Sequence, residues 1–149
     1  AAATALRLTD SERVTEIPRL TELRDRLVDE LVEQLDDVVE TIPRDHGEHG
    51  VEKVAGSAHV CIGGIESEAL LFLLDEADVC ASAASACASG AMEPSHVLAA
   101  MGVDREVALG ALRLSLGHAT TEADVERGID AITSAVERLR AHRTARATS

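Results

Sequence analysis

The chain has 149 residues, enough for one domain with a hydrophobic core and no need for a second. Aromatic residues make up 1% of the sequence, which excludes the aromatic platforms on which single-stranded nucleic acids stack. A formal net charge of −13 argues further against binding to nucleic acids or to anionic membrane surfaces.

The first predicted element is a long amphipathic helix. Residues 1–8 have an alanine-rich helical pattern, and beyond Pro18 five leucines recur at helical spacing up to Leu35. Proline removes a backbone donor, so the helix is either kinked at Pro18 or begins again there with proline in its first turn. No capping signal precedes residue 1, so we interpret the chain as truncated at its N-terminus.

The middle of the chain is predicted to contain two short strands and a helix. Residues 43–50, PRDHGEHG, have the composition of a turn. Residues 58–62 alternate between apolar and polar types, as in a half-buried strand that ends at a Gly-Gly pair. Ser67 is expected to cap a helix whose apolar body, ALLFLL, predicts burial on all sides. Residues 79–82 are a candidate second strand.

The C-terminal third is predicted to form a helix over residues 94–102, a strand over residues 112–116 and a final helix. Thr120 or Thr121 is expected to cap the final helix, and the tail after Arg140 is expected to fray. One apolar stripe of the final helix comprises Val125, Ile129, Ile132, Val136 and Leu139. The order of elements predicts an α+β fold, with a short mixed or antiparallel sheet packed against helices.

Cys87 lies in a segment of small residues, ASACASGAMEPSHVL. Such neighbours leave a thiol accessible and allow another chain or a substrate to approach the backbone closely. A nucleophilic cysteine also needs thiolate character, which positive groups or a helix N-terminus provide. From these residues alone, Cys87 is equally well explained as a small packing residue in an alanine-rich loop.

Three segments, in this order, resemble parts of the pyridoxal-phosphate-dependent cysteine desulfurases that supply sulfur for iron–sulfur cluster assembly. GGIESEALLFLLDEADVCAS is similar to the family's helix and strand before its active-site loop, and SACASGAMEPSHVLAAMGV to the loop itself. LRLSLGHATTEADVERGI is similar to the strand, turn and helix that follow. The resemblance covers roughly residues 54–140 and implies the small C-terminal domain of a fold-type I enzyme of the class V aminotransferase family. The helix over roughly residues 1–40 matches part of the family's interdomain helix.

The resemblance implies a role for two residues. Cys87 matches the nucleophile that takes sulfur from L-cysteine as a persulfide and leaves alanine. Arg113 matches the clamp for the substrate α-carboxylate, and a strand that buries Leu112 and Leu114 would turn Arg113 away from the core. Without the resemblance, Arg113 is better explained as a surface arginine paired with a local acid.

The cofactor lysine of the family is not matched by this chain. Lys53 is its single lysine and lacks the neighbouring histidine that the family's motif has. We therefore expect the large domain that binds pyridoxal phosphate to lie upstream of residue 1 and to be absent here. The chain alone is then predicted to be inactive.

The resemblance also implies the partners: L-cysteine, a second subunit in a homodimer, and a sulfur-acceptor protein such as an iron–sulfur scaffold. Three cysteines, an odd number, and no secretory or membrane-spanning pattern favour a reducing cytoplasm. Two alternatives stay open. One is a stand-alone thiol or persulfide carrier without catalysis of its own, and the other is a selenocysteine lyase.

A metal site is the competing interpretation of the cysteines. His59 and Cys61 share one face of a strand, and Cys80 and Cys87 could add soft ligands. Structural zinc sites prefer a close Cys-x2–4-Cys pair, which this spacing does not provide. We therefore predict no metal site.

Overall fold

The structure is a computed structural model and describes residues 2–42, 53–83 and 95–147. Within these residues the elements are α1 (Ala2–Gln34), β1 (Val38–Glu40), β2 (Ser57–Ile62), α2 (Ser67–Glu76), α3 (His96–Ala100), α4 (Arg105–Ala108), β3 (Ala111–Ser115) and α5 (Glu122–Ala147). The three strands form an antiparallel sheet in the order β1-β2-β3. This confirms the predicted α+β class and the short sheet packed with helices. Cys87, Pro94 and the turn over residues 43–50 lie outside the described residues.

The main core lies between one face of the sheet and the two long helices. Alternate residues of β2 and β3 are buried there: Ala58, Val60, Ile62, Leu112 and Leu114. Opposite them pack three leucines of α1 and the apolar stripe of α5, of which Leu139 is only partly buried. The leucines of α1 are Leu23, Leu27 and Leu31. The alternation in the strands and the helical spacing in the two long helices therefore predicted residues that pack in one core.

The opposite face of the sheet is covered in part by α3 and α4. Cys61 and Ala111, which are paired across β2 and β3, pack there against Leu98 of α3 and Ala108 of α4. Further along the same face stands the pair His59 and Arg113, which is not part of this cluster. Among the described residues, α3 and α4 thus cover the end of this face at Cys61 and Ala111, whereas Arg113 is exposed and His59 half-buried.

The structure decides two questions about the long helices. Helix α1 continues through Pro18, so of the two predicted alternatives the new helix beginning at Pro18 is wrong. Helix α5 extends to Ala147, which makes the expected fraying after Arg140 wrong. Its cap is Thr121, whose hydroxyl accepts from the backbone N–H of Asp124 at 3.2 Å while the carboxylate of Asp124 accepts from the N–H of Thr121. None of the described helices combines the length and apolar character needed to cross a membrane.

Ser67 does not cap α2. The N-cap position belongs to Glu66, and the buried hydroxyl oxygen of Ser67 lies 2.7 Å from the carbonyl oxygens of both Leu109 and Ala111. The hydroxyl therefore ties the start of α2 to the start of β3. Helix α2 is also not buried on all sides, since the side chain of Phe72 is 66% exposed.

The strand expected over residues 79–82 is reduced to a single bridge between Ser82 and Arg113. Strand β1 and helix α4, of three and four residues, were not predicted. Elements this short hold little more than one hydrophobic repeat, so their sequences carry no recognisable periodic signal.

Candidate functional site

Arg113 projects from the sheet on the side away from the main core. Its neighbours Leu112 and Leu114 are buried and Arg113 is exposed, so the predicted orientation is confirmed. Directly opposite Arg113 on β2 is His59. The backbone N–H and C=O of Arg113 are bonded to Ser82 on the other side, so His59 and Arg113 form the non-hydrogen-bonded type of antiparallel pair. Side chains in such pairs are close, with Cα atoms about 4.5 Å apart.

The guanidinium of Arg113 has no carboxylate partner among the described residues. The alternative interpretation, a surface arginine paired with a local acid, is therefore not supported in this part of the chain. A planar guanidinium with five donors matches the two oxygens of a carboxylate, so an unpaired one is suited to binding an anion.

His59 is held from its other side by Thr41, the residue that follows β1. The Oγ1 of Thr41 lies 2.8 Å from Nδ1 of His59, and the N–H of Thr41 donates to the carbonyl of His59 at 3.2 Å. Burial lowers the pKa of His59 below 6.5, and the positive charge of Arg113 lowers it further. Thr41, His59 and Arg113 thus form a row across the sheet, with a neutral imidazole beside the guanidinium at pH 7.

Ser82 connects this row to the segment that contains Cys87. The N–H of Ser82 donates to the carbonyl of Arg113 at 3.1 Å, and the N–H of Arg113 donates to the carbonyl of Ser82 at 2.7 Å. The chain that continues towards Cys87 therefore starts beside the backbone of Arg113. Cys87 itself lies outside the described residues, so the structure does not place its thiol.

The two described cysteines differ in environment. Cys61 is fully buried, and loss of hydration raises its pKa to about 11, which keeps it a thiol at neutral pH. Cys80 is exposed. Among the residues that the structure describes, no three histidine, cysteine or acidic side chains are close enough together to bind a metal ion.

The side chain of Lys53 is largely buried and stabilises the fold. Its ammonium group is paired with the carboxylate of Glu40 in β1 and lies 3.3 Å from the carbonyl of Ile42, and its side chain is 5% exposed. These contacts tie the segment before β2 to β1. The residues of this chain do not fit the attachment of pyridoxal phosphate, because their one lysine amine is already engaged in this buried pair.

Sequence reasoning found Arg113 but missed His59 as its neighbour. The alternation over residues 58–62 placed His59 on one face of a strand. Which residue of β3 stands opposite depends on the register between segments more than 50 positions apart, and no local pattern encodes that register.

The sequence matches the model of the class V aminotransferase family, described as "Aminotransferase class-V", over residues 3–127. It is 46% identical over 122 residues to the IscS-like cysteine desulfurase of Mycobacterium tuberculosis, covering 82% of this chain and 30% of the relative. It is 41% identical over 122 residues to the cysteine desulfurase IscS of Methanosarcina thermophila, covering 81% of this chain and 28% of that protein. The chain thus spans about 30% of the length of the curated relatives it matches.

Two solved structures share the fold. A NifS-like protein is 26% identical with a TM-score of 0.74, over 91% of this chain and 32% of that one. The NifS-like protein from Rickettsia africae has a TM-score of 0.63 at 23% identity, over 85% of this chain and 31% of that one, a similarity of fold alone. The α+β arrangement around Arg113 is therefore that of one part of these larger proteins.

Proposed function

Because the chain belongs to the class V aminotransferase family, we propose that it is the C-terminal part of a pyridoxal-phosphate-dependent cysteine desulfurase. In this reaction L-cysteine is converted to L-alanine, and the sulfur is taken up as a persulfide on Cys87. The observation that carries the proposal is Arg113, which has no carboxylate partner among the described residues and whose backbone is bonded to Ser82, five positions before Cys87.

Arg113 is proposed to bind the α-carboxylate of the substrate. It stands on a strand fixed on both sides, by β2 and by Ser82, so its backbone is well positioned for a directional contact. No described acid competes for its donors. A bidentate contact would orient L-cysteine as well as hold it.

Cys87 is proposed to receive the sulfur. It follows Ser82 by five positions, a span of at most about 18 Å for an extended chain, so a thiol there is tethered near Arg113. The described cysteines are weaker candidates. Cys61 is buried and protonated, and Cys80 precedes the Ser82 bridge on the short segment after α2.

Pyridoxal phosphate, which this chain's residues do not fit, is proposed to be held by the portion of the family that the chain does not span. The first half of α1 supports a contact with such a portion, because Leu6, Val14 and Ile17 are exposed there. On this basis residues 1–149 form the small domain with part of the interdomain helix. A homodimer and an acceptor such as an iron–sulfur scaffold complete the proposal, and the free thiols of Cys61 and Cys80 suit a reducing compartment such as the cytoplasm.

The test uses protein expressed from the complete reading frame that encodes this chain, supplied with pyridoxal phosphate, L-cysteine and a dithiol reductant that releases the persulfide sulfur as sulfide. Alanine and sulfide are quantified for the wild type, Cys87→Ala and the matched control Cys80→Ala. We expect both products from the wild type and Cys80→Ala, and none above background from Cys87→Ala. Equal activity in Cys87→Ala would remove Cys87 from the proposal.

Assays on the same protein distinguish the desulfurase from the two alternatives, a selenocysteine lyase and a persulfide carrier. Selenocysteine turned over with L-cysteine left unreacted would indicate a selenocysteine lyase. Failure to turn over either amino acid, together with uptake of sulfur on Cys87 from a persulfide donor, would indicate a carrier.

A further inference from the structure

His59 has a feature that the proposed reaction does not yet use. Its Nδ1 is engaged by Thr41, whereas its Nε2 has no hydrogen-bond partner among the described residues. It shares its sheet face with Arg113 and is only partly buried. Two nitrogen-bearing side chains, one of them cationic, thus stand side by side on one face of the sheet, and no described acid pairs with either of them.

We propose that His59 is a second binding residue for the anion held by Arg113, with its Nε2–H donating to the substrate α-carboxylate. This inference rests on the proposed function, since it takes the ligand of Arg113 to be an amino acid. It gives the carboxylate three hydrogen bonds, two from the guanidinium of Arg113 and one from Nε2 of His59, while Thr41 orients the imidazole.

Thr41 is the residue that makes the donor available. A neutral imidazole carries one proton, and that proton is on Nε2 when Nδ1 accepts a hydrogen bond. The hydroxyl of Thr41 lies 2.8 Å from Nδ1 and 3.3 Å from the carbonyl of His59, and our proposal assigns its proton to the shorter contact, with Nδ1 as the acceptor. Thr41 is itself buried, which fixes this arrangement.

A neutral imidazole is the appropriate donor next to an arginine. The burial of His59 disfavours a positive charge on its imidazole, and the positive charge of Arg113 disfavours it further. Arg113 is the described charged group that acts on the pKa of His59. An uncharged N–H supplies a directional contact to a carboxylate without repelling the guanidinium. The pair then discriminates an α-amino acid from an amine or amide that lacks the anion.

The test again uses protein from the complete reading frame, with L-cysteine as substrate and with L-alanine and L-alaninamide as competing ligands. His59→Leu removes the donor, and His59→Gln restores an N–H at the position of Nε2. We expect His59→Leu to raise KM for L-cysteine and the inhibition constant of L-alanine about ten-fold. The inhibition constant of L-alaninamide and kcat should change less than about two-fold, and His59→Gln should recover most of the loss.

Thr41→Val supplies a second variant that leaves His59 in place. Thr41→Val should raise the inhibition constant of L-alanine, as His59→Leu does, whereas Thr41→Ser should leave it unchanged. Unchanged L-alanine binding in a folded His59→Leu, or an equal loss for L-alaninamide, would overturn the inference. If His59→Leu does not fold, unchanged L-alanine binding in Thr41→Val would overturn the inference.

Arg113→Ala distinguishes this failure from failure of the proposed function. A strong loss of L-alanine binding in Arg113→Ala with none in His59→Leu would leave the carboxylate clamp and remove only His59. No loss in Arg113→Ala would contradict the clamp itself.

Discussion

Ser82 and Arg113 exchange two backbone hydrogen bonds, at 3.1 and 2.7 Å, along the edge of β3 that β2 does not occupy. The residue proposed to bind the substrate is thus bonded through its backbone to Ser82, which precedes the segment proposed to deliver the thiol. This pairing is local in space but joins residues 31 positions apart in the sequence.

The pairing predicts that Ser82→Pro impairs turnover. Proline lacks the N–H that donates to the carbonyl of Arg113, so the start of the Cys87 segment would separate from β3. We expect alanine formation from L-cysteine to fall about ten-fold or more, because misplacement of a reacting group by about 1 Å can cost more than this. Ser82→Ala keeps the backbone N–H and should remain much closer to the wild type. Equal loss in both variants would contradict a backbone role.

Gly110 is predicted to be intolerant of any side chain. A Cβ there would lie 1.9 Å from the carbonyl oxygen of Ile62, and the carbonyl of Gly110 accepts from the N–H of Ile62 at 3.0 Å. Gly110→Ala must therefore displace β3 from β2, and we expect a loss of about 3 kcal/mol or more in the free energy of unfolding.

Gly128→Ala is the matched control for Gly110→Ala. Its Cβ would meet no atom within 4 Å in α5, so the change should stabilise the protein by up to about 1 kcal/mol through helix propensity. Urea denaturation of both variants measures the difference. Similar free energies of unfolding for the two would refute the close approach at Gly110.

The environment of His59 predicts a pH dependence of stability. Its pKa is lowered in the folded protein from 6.5, so below pH 6.5 the unfolded state binds more protons than the folded state. Its contribution to the free energy of unfolding is therefore complete above pH 6.5 and is lost as the pH falls towards the folded pKa. Urea denaturation between about pH 7.5 and 5 should show a steeper loss for the wild type than for His59→Gln. If the free energy of unfolding fell equally with pH in the wild type and in His59→Gln, the pKa of His59 would not be lowered by burial.

The cysteines are predicted to differ in reactivity. With its pKa raised to about 11 and its side chain fully buried, Cys61 should not react with Ellman's reagent at pH 8 until the protein unfolds. Cys80 is exposed and should react in the folded protein. Cys61→Ala should thus lose one titratable thiol in urea and none in native buffer. A thiol lost from the native count would show that Cys61 is accessible.

Much of the fold could be predicted because strong periodicity coincides with burial. The stripe from Val125 to Val136 and the alternation of Leu112 with Leu114 led directly to α5 and β3. The orientation of Arg113 followed from the same alternation. Local rules failed where tertiary contacts decided the outcome: Ser67 has the residue type of a cap but bonds the carbonyls of Leu109 and Ala111, which are 42 and 44 positions away.

The site was predictable only in part for the same reason. Arg113 stands in a recognisable segment, whereas the row from Thr41 to His59 depends on the pairing of three strands in a particular register. The register between strands that are distant in the sequence cannot be predicted from any single segment. Cys87 lies outside the described residues, and its role stays a prediction from resemblance and from its tether at Ser82.

The most direct test of the proposed function is to locate the sulfur by fragmentation of the Cys87 peptide in a mass spectrometer after a single turnover. Protein from the complete reading frame, with pyridoxal phosphate bound and no acceptor present, would be mixed with an equimolar amount of L-cysteine, alkylated and digested. We predict the added mass of one sulfur atom in fragment ions that contain Cys87 but not Cys80, and no added sulfur on Cys61 or Cys80, which lie with Cys87 between Lys53 and Arg105. Alanine formed with the extra sulfur on another cysteine, or on none, would contradict it.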